Sequence, residues 1–271
     1  MGTNRVRLLD LLLSKFPETG KKELNSMIVC GEVYVDGERI RDPKHMADPG
    51  AEITISRSAY VSRGGKKLEY ALETWDLPMK GKIFLDAGSS TGGFTDCLLK
   101  HGAKAVHSVD VGYNQIAYTL RRDSRVILHE RTNLMDLTEL CPVPHAAVAD
   151  LSFRSIVGAA AKLLGLTREG WAIVLIKPQF ELAAGSQNTA TDFGGVVDEP
   201  ERLADILEET LAALELRNIA VAGLLESPIR GRKGNREFLA HIGRDPAGGI
   251  PGKPSTTPAD VIEGLRREAC R

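Results

Sequence analysis

Apolar residues first recur at helical spacing. Residues 5–16, Arg-Val-Arg-Leu-Leu-Asp-Leu-Leu-Leu-Ser-Lys-Phe, predict a helix that Pro17 and Gly20 end. Residues 21–31 predict a second helix, with Gly31 as its C-cap. Strict alternation then takes over. Glu32–Ile40 reads as a hairpin turning at Asp36-Gly37, and Ala51–Ser56 as a further strand after the turn at Pro49-Gly50. From Gly81 the rhythm changes again. Short apolar runs at 83–85, 105–109, 126–128, 146–149, 172–176 and 219–225 alternate with helix-like stretches near 94–101, 114–122, 155–165 and 199–216. A last strand follows Glu237. Strand and helix in alternation imply a parallel, doubly wound α/β sheet preceded by a small α+β domain. Residues 181–198 are polar and Gly-rich and predict a mobile loop.

The chain has 271 residues, 42% hydrophobic and 26% charged, enough for one large and one small globular domain. The net charge is -1, but residues 1–67 hold 12 Lys+Arg against 9 Asp+Glu, and the remainder 23 against 27. A basic front module facing an anion fits that asymmetry. Cys30, Cys97, Cys141 and Cys270 are far apart with no C-x-x-C pair, which argues against a zinc ribbon or a disulfide scaffold. Reduced thiols point to the cytoplasm. The amino-terminal residues do not read as a signal peptide, and no window resembles a membrane span.

The first strand of the large sheet runs into Leu85-Asp86-Ala-Gly88-Ser89-Ser90-Thr91-Gly92-Gly93-Phe94 and then a helix. Glycines here let the backbone turn sharply and approach a ligand closely. No Gly-Lys-Ser/Thr follows, so this is not a P-loop, and the spacing is not the dinucleotide fingerprint. Asp86 would repel a pyrophosphate, whereas a carboxylate suits a zwitterion carrying an ammonium group. The second strand ends at Asp110, where an acid can accept hydrogen bonds from both ribose hydroxyls. Together these point to S-adenosylmethionine, with Val111 beside it. The glycines alone would also suit a plain tight turn. Asn133 and Asp136, after the third strand, are either adenine contacts or loop caps.

A ribose hydroxyl becomes nucleophilic only when a base takes its proton. A lysine whose pKa is lowered by burial can serve, with acids to orient it. Asp150 ends the fourth strand in Ala149-Asp-Leu-Ser-Phe153, and Lys177 ends the fifth in Ile176-Lys-Pro-Gln-Phe180. Asp150 could instead cap a helix. Glu237, in Gly234-Asn-Arg-Glu-Phe238, would by itself read as a surface residue.

The motifs Val61-Ser-Arg-Gly-Gly-Lys-Lys-Leu68, Asp86 to Thr95, Asp110-Val-Gly-Tyr113, Glu130-Arg-Thr-Asn133, Ala149 to Phe153, Lys177 to Phe180 and Gly234 to Glu237 resemble those of the TlyA family. These are ribosomal RNA 2′-O-methyltransferases once called hemolysin A, and the likeness runs from about residue 4 to 242. It implies an S4 RNA-binding domain over 4–60, a linker over 61–80 carrying a catalytic lysine, a Rossmann-like FtsJ-type methyltransferase domain over 81–245, and a tail over 246–271. It also implies a Lys-Asp-Lys-Glu tetrad at Lys67, Asp150, Lys177 and Glu237, with Lys66 as the neighbour most easily mistaken for Lys67. Cytidine in ribosomal RNA is the implied substrate. Within the front domain Arg5, Arg7, Lys15, Lys21, Lys22 and Arg41, with Arg63 from the connector, would contact RNA phosphates. No metal and no membrane enter this picture. Two rival readings are a catalytically silent ribosome-associated RNA-binding protein and, on the old family name alone, a cytolysin. The loop at 181–193 departs from the family pattern.

Overall fold

A computed structural model describes residues 5–55, 59–152, 154–185, 195–231, 233–244, 251–252 and 256–270. Phe153, residues 186–194 of the loop expected at 181–198 and part of the tail lie outside them, and residues 181–185 are helical where a loop was expected. The chain divides into two compact units, Met1–Ser62 and Arg63–Arg271.

Unit 1 contains β1 (Val6–Arg7), α1 (Leu8–Lys15), α2 (Lys21–Cys30), β2 (Val33–Val35), β3 (Glu38–Ile40), β4 (Met46–Ala47) and β5 (Ile53–Ile55). Its core is built by Leu8, Leu12, Leu24, Ile28 and Val33, all fully buried. The hairpin turns where Asp36 and Gly37 take φ of 50° and 81°, the pair of left-handed residues a two-residue turn requires. The helix expected over 5–16 starts later, because Val6 and Arg7 pair with Ala47 and Met46 as a two-residue antiparallel strand.

Unit 2 contains α3 (Gly64–Trp75), β6 (Ile83–Ala87), α4 (Gly93–Lys100), β7 (Ala105–Asp110), α5 (Tyr118–Arg121), β8 (Val126–Glu130), β9 (Ala146–Ala149), α6 (Ile156–Gly165), β10 (Trp171–Ile176), α7 (Pro178–Gly185), α8 (Pro200–Glu215), β11 (Ala220–Glu226), β12 (Phe238–Gly243) and α9 (Pro258–Ala269). The seven strands lie in the order β11-β12-β10-β9-β6-β7-β8. Strands β6 to β10 are parallel where they pair, and their near-continuous apolar runs suit a sheet covered on both faces. The wholly parallel sheet implied by alternation needs one correction. Strand β12 inserts antiparallel between β10 and β11, joined to β11 without a crossover helix. Strand order reverses at β6 and β9, so ligands are expected outside the carboxyl ends of these strands.

Two segments differ from expectation. The 61–80 stretch is not a bare linker: α3 buries Lys67, Leu68, Ala71, Leu72 and Trp75 at helical spacing. Trp75 stacks on His241 of β12 with ring centroids 5.3 Å apart. The 246–271 stretch is not a featureless tail. Helix α9 starts with a reciprocal cap between Thr257 and Asp260, and its Arg266 is ion-paired with Glu201, Asp205 and Glu208 of α8. Among the described residues no helix is long and apolar enough to cross a membrane.

Candidate active site

The glycine turn leaves β6 at the switch point. Gly88 and Gly92 hold φ of 80° and 95°, where a side chain is strained. A Cβ at Gly88 would lie 2.5 Å from the Asp150 carbonyl oxygen, and one at Gly92 would lie 2.4 Å from Leu120. The plain-turn explanation is therefore part of the answer: these glycines admit the protein's own atoms. Gly88 and Ser89 donate their N–H groups to the Val109 carbonyl at 2.8 and 3.2 Å. Ser90 is exposed, with a left-handed φ of 48°. Thr91 accepts from the Ala117 N–H at 3.0 Å. Gly93 and Phe94 begin α4 and are buried.

Asp86 is fully buried. The Thr95 hydroxyl donates to its Oδ2 at 2.6 Å, and Thr95 also bonds Ser108 at 2.7 Å. Its Oδ1 has no hydrogen-bond partner among the described residues. Burial raises its pKa to about 7, the Thr95 hydrogen bond opposes that shift, and Asp150 and Asp110 add to it. An orphaned carboxylate oxygen calls for a donor, and an ammonium group supplies one, so the residues present fit a ligand with an amino acid head. Asp110 is fixed by the N–H groups of Ser90 and Gly112 at 2.8 and 2.7 Å, which aims its carboxylate from the rim of β7. Val111 next to it is exposed. Asn133 accepts from the Met135 N–H at 3.0 Å and so caps a short 3-10 turn, Leu134–Asp136.

The four residues of the expected tetrad form two ion pairs. Lys177 Nζ lies 2.6 Å from Asp150 Oδ1 and donates to the Ser152 hydroxyl at 3.1 Å. The Phe180 ring centroid is 5.7 Å from that amine. Lys67, at the buried face of α3, pairs with Glu237. Lys66 is exposed, so the structure separates the two adjacent lysines. Strand register explains how the pairs meet. Ile176 lies opposite Phe238, so Lys177, one residue after β10, and Glu237, one residue before β12, are neighbours across the ladder. Asp150 follows β9 and donates its N–H to the carbonyl of Ala87, the last residue of β6, at 3.0 Å. Burial leaves little water around Lys67 and Glu237, which strengthens their attraction, whereas the Asp150 side chain stays 26% exposed beside a buried Lys177.

Sequence reading missed three supporting groups: Thr95, Ser152 and Glu181. Glu181, one turn into α7, accepts from Ser155 and from the Ile156 N–H at 2.5 and 2.9 Å. It thereby ties the segment after Lys177 to the segment after Asp150. Among the described residues no group of His, Cys, Asp or Glu could hold a metal ion.

In unit 1, Arg5, Arg7, Lys15, Lys21, Lys22 and Arg41 are all exposed. Arg7 is paired with Asp10 at 2.7 Å, and Lys15 donates to the Ala51 carbonyl at 3.0 Å. Arg63, also exposed, belongs to unit 2 at the start of α3.

A family model described as FtsJ-like methyltransferase matches residues 60–244. Hemolysin A of Brachyspira hyodysenteriae is 37% identical over 247 residues, spanning 88% of this chain and 99% of that protein. The 16S/23S rRNA (cytidine-2′-O)-methyltransferase TlyA of Mycobacterium tuberculosis is 38% identical over 231 residues, spanning 81% and 82%. A solved Streptococcus thermophilus protein whose name carries the word hemolysin superposes with a TM-score of 0.68 at 32% identity, covering 98% of this chain and 96% of that one.

Proposed function

The chain belongs to the FtsJ-like methyltransferase family, and on that premise we propose that it methylates a ribose 2′-hydroxyl of ribosomal RNA, a cytidine by analogy with its TlyA relatives. The observation carrying the proposal is the double ion pair, Lys177 with Asp150 and Lys67 with Glu237, at the carboxyl rim beside the Gly88 turn. Two amines and two carboxylates at one rim, all but Asp150 buried, suit proton removal from a neutral hydroxyl and orientation of the oxygen that remains.

S-adenosylmethionine, when bound, supplies an electrophilic methyl group. Asp86 Oδ1 would receive its ammonium group, Asp110 its ribose hydroxyls, and the backbone of Gly88 to Gly92 would lie along it. Lys177 Nζ, in its neutral form, takes the proton of the substrate hydroxyl. Asp150 holds that amine in place, and Ser152 gives it a second partner. Glu237 fixes Lys67, whose ammonium orients the target ribose or its phosphate. In unit 1 the exposed Arg5, Arg7, Lys15, Lys21, Lys22 and Arg41 would serve an S4-like RNA-binding domain, and Arg63 would add to them from unit 2. Phosphate contacts of this kind position RNA without reading its sequence. Ribosomal RNA as substrate puts the work in the cytoplasm.

Mass-spectrometric mapping of ribose methylation in ribosomal RNA, from cells with and without the gene, tests the reading. A 2′-O-methyl group that disappears with the protein and returns with purified protein and S-adenosylmethionine supports it. An unchanged methylation map, with no methyl incorporation in vitro, overturns it.

A further inference from the structure

The loops leaving β7 and β8 carry a surface that the chemistry above does not use. Tyr113 and Tyr118 are 62% and 56% exposed. The Arg131 guanidinium stacks 4.2 Å from the Tyr113 ring centroid, and that of Arg122 lies 5.7 Å from Tyr118. The backbone around the first pair is strained. Asn114 and Arg131 take left-handed φ of 58° and 53°, a conformation that asparagine tolerates and that is unfavourable for arginine.

That strain is tied down by neighbouring contacts. The Arg131 N–H donates to the Gly112 carbonyl at 2.9 Å, and the Asn114 N–H donates to Glu130 Oε1 at 2.7 Å. Arg121 grips the same carboxylate through both terminal nitrogens, at 3.1 and 2.5 Å. The result is one aromatic ring backed by a cation and otherwise open to solvent. It sits three residues after the acid that faces the cofactor. Strain stored beside an active centre points to use rather than to packing.

We propose that Tyr113 and Arg131 form a stacking platform for an unpaired nucleobase of the RNA substrate. The inference rests on the RNA methyltransferase reading above. Any base presents a π-face to Tyr113, while the Arg131 charge complements a neighbouring phosphate. The 2′-hydroxyls of an RNA helix line its shallow minor groove, but Lys177 is buried, out of reach of a ribose held in a continuous stack. Bringing it to Lys177 takes a nucleotide out of its stack, and the bases so exposed gain from a replacement aromatic surface. The adenine of the cofactor is the competing occupant of the ring.

The full-length protein is titrated against a fluorescein-labelled single-stranded oligoribonucleotide by anisotropy, and against S-adenosylmethionine by calorimetry. Tyr113→Ala weakens the single strand roughly 5- to 100-fold, the range for losing one stacked base, with cofactor affinity unchanged. Tyr113→Phe keeps the ring and binds like the parent chain. Arg131→Gln lowers the slope of log affinity against log salt by about 0.7, one phosphate contact on a single strand. Equal single-strand affinity in Tyr113→Ala overturns the platform, as does a loss of cofactor affinity that matches the RNA loss and assigns the ring to adenine. A parent chain that methylates ribosomal RNA yet ignores the single strand sinks the platform and leaves the methyltransferase reading standing.

Discussion

On the proposed mechanism, Asp86 and Lys177 divide the work at the level of single residues. Asp86 is held largely protonated below pH 7 by burial, which raises its pKa to about 7. A bound ammonium group favours the ionised form, so cofactor binding expels a proton below that pH. Affinity for S-adenosylmethionine therefore climbs as pH rises toward 7 and levels off above it. Calorimetry in two buffers of different ionisation heat reads the proton directly, and Asp86→Asn removes the dependence along with much of the affinity. The same group makes the ligand-free protein less stable as pH rises from about 4 to 7, because the unfolded chain gives up that proton first. Lys177 is predicted to behave in the opposite sense. Lys177→Ala leaves cofactor binding intact but lowers the methylation rate by at least about 100-fold, the lower end for losing a general base. Single-turnover assays at saturating RNA decide it, and full activity in the variant removes Lys177 from the mechanism.

The two pairs were only half legible in the sequence. Asp150 and Lys177 stand directly after apolar runs, so a strand-end reading reaches them. Glu237 is a neighbour of Lys177 only through the antiparallel register of β12 with β10, a long-range pairing without a local signature.

Among the elements, α3 and α9 decide how much of the chain belongs to the catalytic unit. Both left traces that composition obscured. Lys67, Ala71 and Trp75 recur every fourth residue, which puts a lysine on the buried face of a helix. Thr257-Pro-Ala-Asp260 is a capping box with proline at the first helical position. Residues 61–80 looked like a connector because Arg63, Gly64 and Gly65 open the segment, and glycines suggest flexibility. Packing overrides that propensity once Leu68, Leu72 and Trp75 find apolar neighbours. Trp75 is the anchor, fully buried against His241. Trp75→Ala is expected to cost about 3–5 kcal/mol in urea unfolding, as for other buried tryptophans. A loss below 1 kcal/mol would mean that α3 is peripheral after all. The β-strands were far easier to read, since β9 and β10 are apolar throughout and β6 and β7 open on apolar residues.

At the scale of the whole molecule, two units with separate cores imply separable stability. Unit 1 is closed by its own cluster around Leu8, Leu24 and Ile28, and unit 2 by a cluster that packs α6, α8 and α9 on one face of the large sheet. Removing residues 1–56 is expected to leave a cooperative thermal transition and S-adenosylmethionine binding in the remainder, while affinity for structured ribosomal RNA falls and its salt dependence flattens. RNA affinity undiminished by the deletion would assign recognition to the large unit instead. The doubly wound architecture was readable because alternation of strands and helices is a global rhythm.

The wedge position of β12 has a bearing on the order of biosynthesis. Strand β11 leaves the ribosome before β12, yet β12 is what joins it to the rest of the sheet, and β12 begins beside Glu237. A nascent chain that has emerged only as far as Glu226 has neither a docking edge for β11 nor the carboxylate that partners Lys67. On the proposed mechanism, activity waits until Glu237 and β12 have emerged, so a nascent chain without them is expected to leave ribosomal RNA unmethylated.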